Sequence, residues 1–272
     1  MAILLPLDAT EEHVREITAR LGLDKPITTQ YRIFIMDLLR GDLGTSIRFR
    51  QPTIGLILER MSATLMLAGS ALLLAIVVAI PIGILAALRQ GSTADRLLMG
   101  FSVLGQAMPV FWIGMLMVIL FAVNLRWLPT GGFGGIRHLI LPAVALGIRF
   151  MAITARLLRS SVIEVMGADY IRTSRAKGLR EKAIIVKHAL RNSMLPVITV
   201  IGLQMGSLLG GSVVTETVFS WPGVGRLLIQ AIVHRDFPLV QASIIMLAGV
   251  FVLINLIVDI VYVFIDPRIS YT

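Results

Sequence analysis

Five stretches of this chain are each long and apolar enough to cross a bilayer as a helix, since a hydrocarbon core of about 30 Å takes roughly 20 helical residues. They run approximately from Ser62 to Leu88, Leu97 to Val123, Leu139 to Leu158, Ser193 to Thr215 and Leu239 to Ile265. Lipid offers no partner for backbone N–H and C=O groups, so such stretches predict an all-α, polytopic transmembrane helix bundle. The chain is 56% hydrophobic and 15% charged, whereas a soluble domain carries about a quarter charged residues. Pro81 and Pro109 fall inside the first two spans, where neighbouring helices can satisfy the freed carbonyls, and they predict kinks. In the fourth span "QMGSLLGGS", with Gly206, Gly210 and Gly211, reads as close helix packing rather than a pore lining. Charges inside the spans are Arg149, Arg156 and Asp259. Arg156 and Asp259 lie near span ends and read as anchors that snorkel to the interface; Arg149 is deeper.

The sequence between the spans sets the orientation. From Arg156 to Arg191 there are nine Lys/Arg against three Asp/Glu, most of a formal net charge of +9, and a basic loop between spans belongs on the cytoplasmic side. Residues 159–192 are therefore predicted cytoplasmic, together with Arg89 to Arg96 and the tail 266–272, and residues 216–238 external. The same alternation places the extramembranous segment 1–61 outside, with no preceding span to carry it across. Within that segment Val14, Ile17 and Leu21 have helical spacing, and "LLRGDLGTSIRFRQPT" reads as a turn-rich connector. No secretory signal is found there.

Several chemistries are excluded. Without cysteine there is neither a disulfide nor a thiol nucleophile. The basic charge sits in a loop between apolar spans, not along a soluble module, so nucleic acid is not a partner. His13, His138, His188 and His234 are scattered, with no His-Glu-x-x-His metal motif and no Gly-x-Ser-x-Gly elbow. Lys25, Lys177, Lys182 and Lys187 follow Asp, Ala, Glu and Val, so the Gly-Lys of a P-loop is missing. The chain reads as a non-enzyme without metal or cofactor.

The basic loop has more structure than charge bias requires. Asp169 is predicted to cap a short helix starting near Tyr170, Gly178 to close it in a left-handed conformation, and a second helix to run from about Arg180 to Arg191. Tyr170, Ile171 and Ala176 offer apolar groups to a socket, while Arg172, Arg175, Lys177 and Arg180 can pair with acids at its rim. In "FSWPGVGRLL", Trp221 reads as an interfacial aromatic on a rigid turn.

"DYIRTSRAKGLREKAIIVKHALRNSMLP", Asp169 to Pro196, resembles the cytoplasmic loop of permease subunits of binding-protein-dependent ABC importers, in their dipeptide, oligopeptide, glutathione and nickel branch. The superfamily pattern Glu-Ala-Ala, three residues, Gly corresponds here to Arg172, Thr173, Ser174 and Gly178; the peptide branch usually has Arg-Thr-Ala. "LGLDKPITTQY" with "RGDLGTS", "ERMSATLML", "VVTETVFSWPGVGRLLIQAIVHRDFPLVQ" and "NLIVDIVYVFIDPR" resemble further segments of that family in the same order.

The resemblance implies a partner set and a role for each motif. The partners would be a homologous permease subunit, two ATP-binding subunits, an extracytoplasmic solute-binding protein and membrane lipid, at the bacterial inner membrane. Tyr170, Ile171, Arg172, Arg175, Ala176, Lys177 and Gly178 would couple the permease to the ATPase, and Glu216, Phe219 and Trp221 would lie near an external gate. It also implies a sixth span ahead of the five, of which "MAILLPLDAT" resembles the last turn. The substrate would be a peptide, with glutathione or nickel as alternatives. A proton-driven secondary transporter would show inverted repeats and paired intramembrane carboxylates, and Asp259 stands alone. A non-transporting membrane scaffold is the remaining alternative.

Overall fold

The computed structural model describes residues 24–265, and the helical spacing of Val14, Ile17 and Leu21 and the tail 266–272 lie outside the described residues. Nine helices follow one another there: α1 (Ile27–Leu39), α2 (Thr53–Leu88), α3 (Thr93–Ala107), α4 (Val110–Asn124), α5 (Ile136–Met166), α6 (Asp169–Ala176), α7 (Glu181–Val218), α8 (Val224–Val233) and α9 (Phe237–Ile265). Among the described residues no strand forms, and an isolated bridge pairs Thr45 with Pro52. Helices α2, α5, α7 and α9 are each long and apolar enough to cross a membrane, and α3 with α4 makes a fifth crossing if the bent pair counts as one.

That pair departs from the expected second span. The helix breaks at Met108 and turns through 110° before α4 begins. Met108 precedes Pro109 and is extended (φ −81°, ψ 138°), because the proline ring disfavours the α conformation in the residue before it. Pro81 lies within an uninterrupted α2, and Pro142 and Pro196 are likewise inside α5 and α7. Helix α2 also starts at Thr53, so the expected boundary at residue 61 falls inside a helix; the apolar stretch marks what lipid covers, not where the helix nucleates.

Helix α5 lies at the centre, packed against α2, α3, α4 and α7. Its contact with α2 is close because small residues repeat along α2: Ala71, Ala75, Ala79, Gly83, Ala86 and Ala87 are all buried. A Cβ on Gly147 would sit 2.7 Å from the Ala71 carbonyl, and one on Gly83 would sit 2.8 Å from that of Ala155. A core of Leu67, Ala71, Ala143, Leu146, Phe150, Leu208 and Trp221 joins α2, α5 and α7. A second core joins the start of α2 to α8 and α9 through Ile57, Val224, Leu227 and Leu239. In α9 only 6% of the apolar window is buried within the chain, against 56% in α5, so α9 presents most of its surface outward.

Gly206 and Gly211 serve packing. A Cβ on Gly206 would strike the Phe251 ring and Asn255, and one on Gly211 would lie 3.2 Å from Leu146, whereas Gly210 faces open space.

Polar staples fix the ends. Ser92 accepts the Asp95 N–H (3.2 Å) to start α3, while Asp95 accepts from Gly91 N–H and takes both arms of Arg159 (2.6 and 2.7 Å). Arg156, read as a snorkelling anchor, instead donates to Gln106 at the end of α3.

Candidate functional site

Two regions carry the residues singled out from sequence, at opposite ends of α7. At the first, α6 ends in a closed turn: Gly178, with φ +75°, donates its N–H to Arg175 O (2.9 Å), and Leu179 N–H donates to Ser174 O (3.4 Å). Left-handed backbone at that position costs a residue with a Cβ and suits glycine. Arg175 then reaches across the turn to Glu181, 2.7 Å away, pinning the start of α7 to α6. That bond holds the Arg175 guanidinium above its ordinary pKa.

Three expectations for this turn change. The helix starts without a side-chain cap, Ala168 occupying the N-cap position, and Asp169 is itself the first helical residue with its side chain in solvent. The second helix does not stop at Arg191 but continues through a π-helical turn at Ile184–Ala189 into α7, because nothing between Arg180 and the apolar span breaks it. Ile171 is fully buried, since α6 packs against that π-helical turn, so it anchors α6 to its own chain and is closed to a partner's socket. Arg175 is likewise taken by Glu181. Tyr170, half-exposed, accepts a hydrogen bond from Asn192 Nδ2 (2.9 Å). Arg172, Ala176, Lys177, Gly178 and Arg180 are exposed.

At the other end of α7 the chain turns sharply into α8. Ser220 adopts φ +52° and donates to Thr217 O, and Trp221 N–H returns to Glu216 O (2.8 Å). Glu216 is fully buried; Thr64 of α2 donates to its Oε1 (2.8 Å) and Arg226 N–H to its Oε2 (2.9 Å). Thr64 in turn accepts Val224 N–H (2.8 Å), so one carboxylate and one hydroxyl satisfy the first turn of α8. A Cβ on Gly223 would collide with the Glu216 carboxylate.

Trp221 is not interfacial. It is 1% exposed, donates Nε1–H to Ala63 O (2.8 Å) and meets Phe133 edge to face at 4.9 Å. Phe219 is also buried, against Leu141, Ala145 and Phe121, and its carbonyl accepts Gly132 N–H (2.8 Å).

A third constellation was missed from sequence. Asp236, 1% exposed, accepts from Ser46 Oγ, from the N–H groups of Ile47 (3.1 Å) and Arg48 (3.2 Å), and from Leu239 N–H (3.4 Å). It caps α9 and binds the connector ahead of α2. The signal was present in "DFPLV": Asp before a helix with proline in its first turn is a capping pattern. Ser92 and Asp95 carried a similar one.

Residues 79–271 match the family described as binding-protein-dependent transport system inner membrane component. The chain belongs to that family. It is 42% identical to the dipeptide transport system permease protein DppB of Alkalihalophilus pseudofirmus, over 98% of this chain and 89% of that one. It is 41% identical to DppB of Escherichia coli (96% and 86%), and 43% identical to the glutathione transport system permease protein GsiC of Salmonella typhimurium (97% and 86%). Among solved structures, an inward-facing MetNI methionine ABC transporter chain superposes with a TM-score of 0.67 at 17% identity, covering 78% of this chain and 97% of that one. At that identity the likeness concerns the fold.

An inner membrane component of a binding-protein-dependent transport system is a transport subunit. ATP hydrolysis belongs to a separate ATPase, and the system also includes a solute-binding protein. The permease placed here in the bacterial inner membrane accordingly combines membrane-length helices with an exposed basic turn.

Proposed function

We propose that this permease forms the transmembrane pathway for peptides, paired with one homologous permease, driven by two ATP-binding subunits and loaded by an extracytoplasmic solute-binding protein. Its relatives, similar over nearly their whole length, are named for a dipeptide and for glutathione, itself a small peptide. The chain holds no cofactor in this reading, and lipid covers α9.

The α6–Gly178–α7 turn carries the mechanism. It is the cytoplasmic contact with the ATPase, presenting Tyr170, Arg172, Ala176, Lys177 and Gly178 on its exposed side, while Ile171 and the Arg175–Glu181 pair fix it to α7. ATPase closure moves α6 and α7 together as one body, and the pathway opens to alternate sides. Glu216, Phe219 and Trp221 form the external end, where their burial makes them a clasp holding α2, α7 and α8, not a surface for substrate.

The test is uptake of labelled dipeptide into proteoliposomes holding the whole system. Uptake that requires this subunit, ATP and the binding protein supports the reading; a complete, ATP-hydrolysing system that accumulates no peptide refutes it. Gly178→Val separates coupling from folding. No atom lies within 4 Å of a Cβ at Gly178, so the substitution strains the turn without a clash inside this chain. Lost ATPase co-purification or lost substrate-stimulated hydrolysis is expected, and unchanged coupling would sink the lever.

A further inference from the structure

Arg149 lies at the fourteenth of the 31 residues of α5, about 3 Å from the helix midpoint at a rise of about 1.5 Å per residue. An arginine side chain there is too far from either helix end to snorkel. It is exposed on the single subunit and has no hydrogen bond or ion pair among the described residues. The buried carboxylates Asp95, Glu216 and Asp236 are committed to Arg159, to Thr64 with Arg226, and to Ser46 with Ile47 and Arg48. An unpaired cation at mid-depth is expensive unless something crossing or lining the pathway pairs with it.

The surroundings show which face this is. Arg149 follows Gly147 by two residues, about 200° around the helix, and Gly147 is where α2 presses on α5. Arg149, Ile153, Arg156 and Ser160 therefore form a stripe on the side of α5 turned away from α2. On α7, which runs antiparallel beside it, Leu203, Ser207, Gly210 and Val214 are exposed, while Leu208 and Leu209 turn toward α2. The two stripes make one wall opposite α2, open at Arg149 and partly covered at Arg156 by Gln106 of α3. Gln204 of α7 lies at about the depth of residue 153, because Gly211 abuts Leu146. Its amide oxygen and nitrogen are both enclosed and unpartnered.

We infer that this wall faces the translocation pathway and that Arg149 is a binding residue for the C-terminal carboxylate of the crossing peptide. The inference rests on the peptide-import reading. A guanidinium offers two parallel donors to a carboxylate, and a free C-terminus is a charge that linear peptides share whatever their side chains, so such a contact holds peptides without selecting sequence.

The experiment compares uptake of a labelled dipeptide and of its C-terminal amide by the whole reconstituted importer, with wild-type, Arg149→Lys, Arg149→Gln and Arg149→Glu permease. Because the binding protein filters both substrates equally in every variant, the change in their ratio isolates the permease. Arg149→Gln should lower carboxylate uptake about tenfold, the scale of one charge-assisted hydrogen bond, and amide uptake less than twofold. Arg149→Lys should keep part of the activity and Arg149→Glu should fall below Arg149→Gln. Equal losses for acid and amide, or equal uptake by all four proteins, would overturn the inference and leave peptide import intact. Loss of the assembled complex in Arg149→Gln would overturn it in favour of an acid on the second permease. Wild-type importer moving neither substrate would refute the peptide-import reading itself.

Discussion

Replacing Asp236 by Asn loosens one joint of the fold without changing its volume. Both carboxylate oxygens act as acceptors, Oδ2 for Ser46 Oγ and Arg48 N–H, Oδ1 for Ile47 N–H and Leu239 N–H. Asparagine keeps one carbonyl oxygen and turns the other into an amide N–H2, so in either orientation one pair of donors faces donors. Each buried group left unpaired costs about 1–3 kcal/mol, and two of them at the lower half of that range cost about 3 kcal/mol. With the amide nitrogen at the Oδ2 position both lost bonds belong to residues 46–50, and at the Oδ1 position only that from Ile47 does, so at about 1.4 kcal/mol per factor of ten the released form becomes about tenfold to a hundredfold more populated. That segment carries Arg48 and Arg50, both exposed, and a protease that waits for local opening reports the population of the open form. The assay is the rate of tryptic cleavage after Arg48 and Arg50 in the purified, full-length permease with its partner subunits. Asp236→Asn should cleave about tenfold to a hundredfold faster; Ser46→Ala, which removes one donor and the acceptor for Phe49 N–H, should cleave about tenfold faster. Cleavage of Asp236→Asn within twofold of wild type would show that the three bonds from Ser46, Ile47 and Arg48 do not hold the segment.

Substitutions at Gly147 and Arg159, each with a control, test the packing of α5. Gly147→Ala should lower the thermal unfolding temperature of the complex by several degrees, since about 1–3 kcal/mol is needed to move α2 off a Cβ 2.7 Å from Ala71 O; Gly69→Ala, with nothing within 4 Å, should leave it unchanged. Arg159→Ala should cost about 3–5 kcal/mol by leaving the enclosed Asp95 carboxylate unpaired, and Arg159→Lys should restore part of that, because lysine lacks the second arm. Differential scanning of the assembled complex checks both.

What was legible in the sequence follows what kind of force sets each feature. Spans are set by apolar length, which is local, so α9 begins within two residues of its expected start. Left-handed closure at Gly178 is local too and is found. The 110° break at Met108 was signalled by Pro109, but a proline shows where a helix is weak and not how far neighbours bend it. Pro81, with the same chemistry, leaves α2 unbroken where its neighbours Ile80 and Ile84 pack against Leu158 of α5 and Val197 of α7. Trp221 was misplaced for a non-local reason: the partner for its N–H is Ala63 O, 158 residues away, and composition alone favours the interface for a polar-tipped aromatic. Ile171 was misread likewise, because apolar residues on a short amphipathic helix look alike whether they meet a partner or their own chain.

On the proposed arrangement a permease driven from outside itself needs a stiff path between the ATPase contact and the external end, and α7 would supply one. Its 38 residues span about 57 Å at a rise of about 1.5 Å each, from the Gly178 turn to the Trp221 clasp, as one continuous helix with a π-helical turn near its start. The two ends are built differently. At the clasp, Thr215, Glu216, Phe219 and Trp221 are almost wholly buried and tied to α2 and α8. At the turn, Lys187, Arg191 and Asn192 are exposed and the helix passes through the wider Ile184–Ala189 π-helical turn. A load applied at α6 therefore meets little resistance locally and is carried to the end where the packing resists it. On the proposed arrangement, damage at the two ends has different signatures: at Gly178 the ATPase loses its grip, whereas at Glu216 or Thr64 the ATPase still docks and hydrolyses but the motion reaches a loosened clasp. Uncoupled hydrolysis with intact assembly in Thr64→Val would place the bearing of the lever at Glu216; loss of assembly there would place it in the body of the bundle.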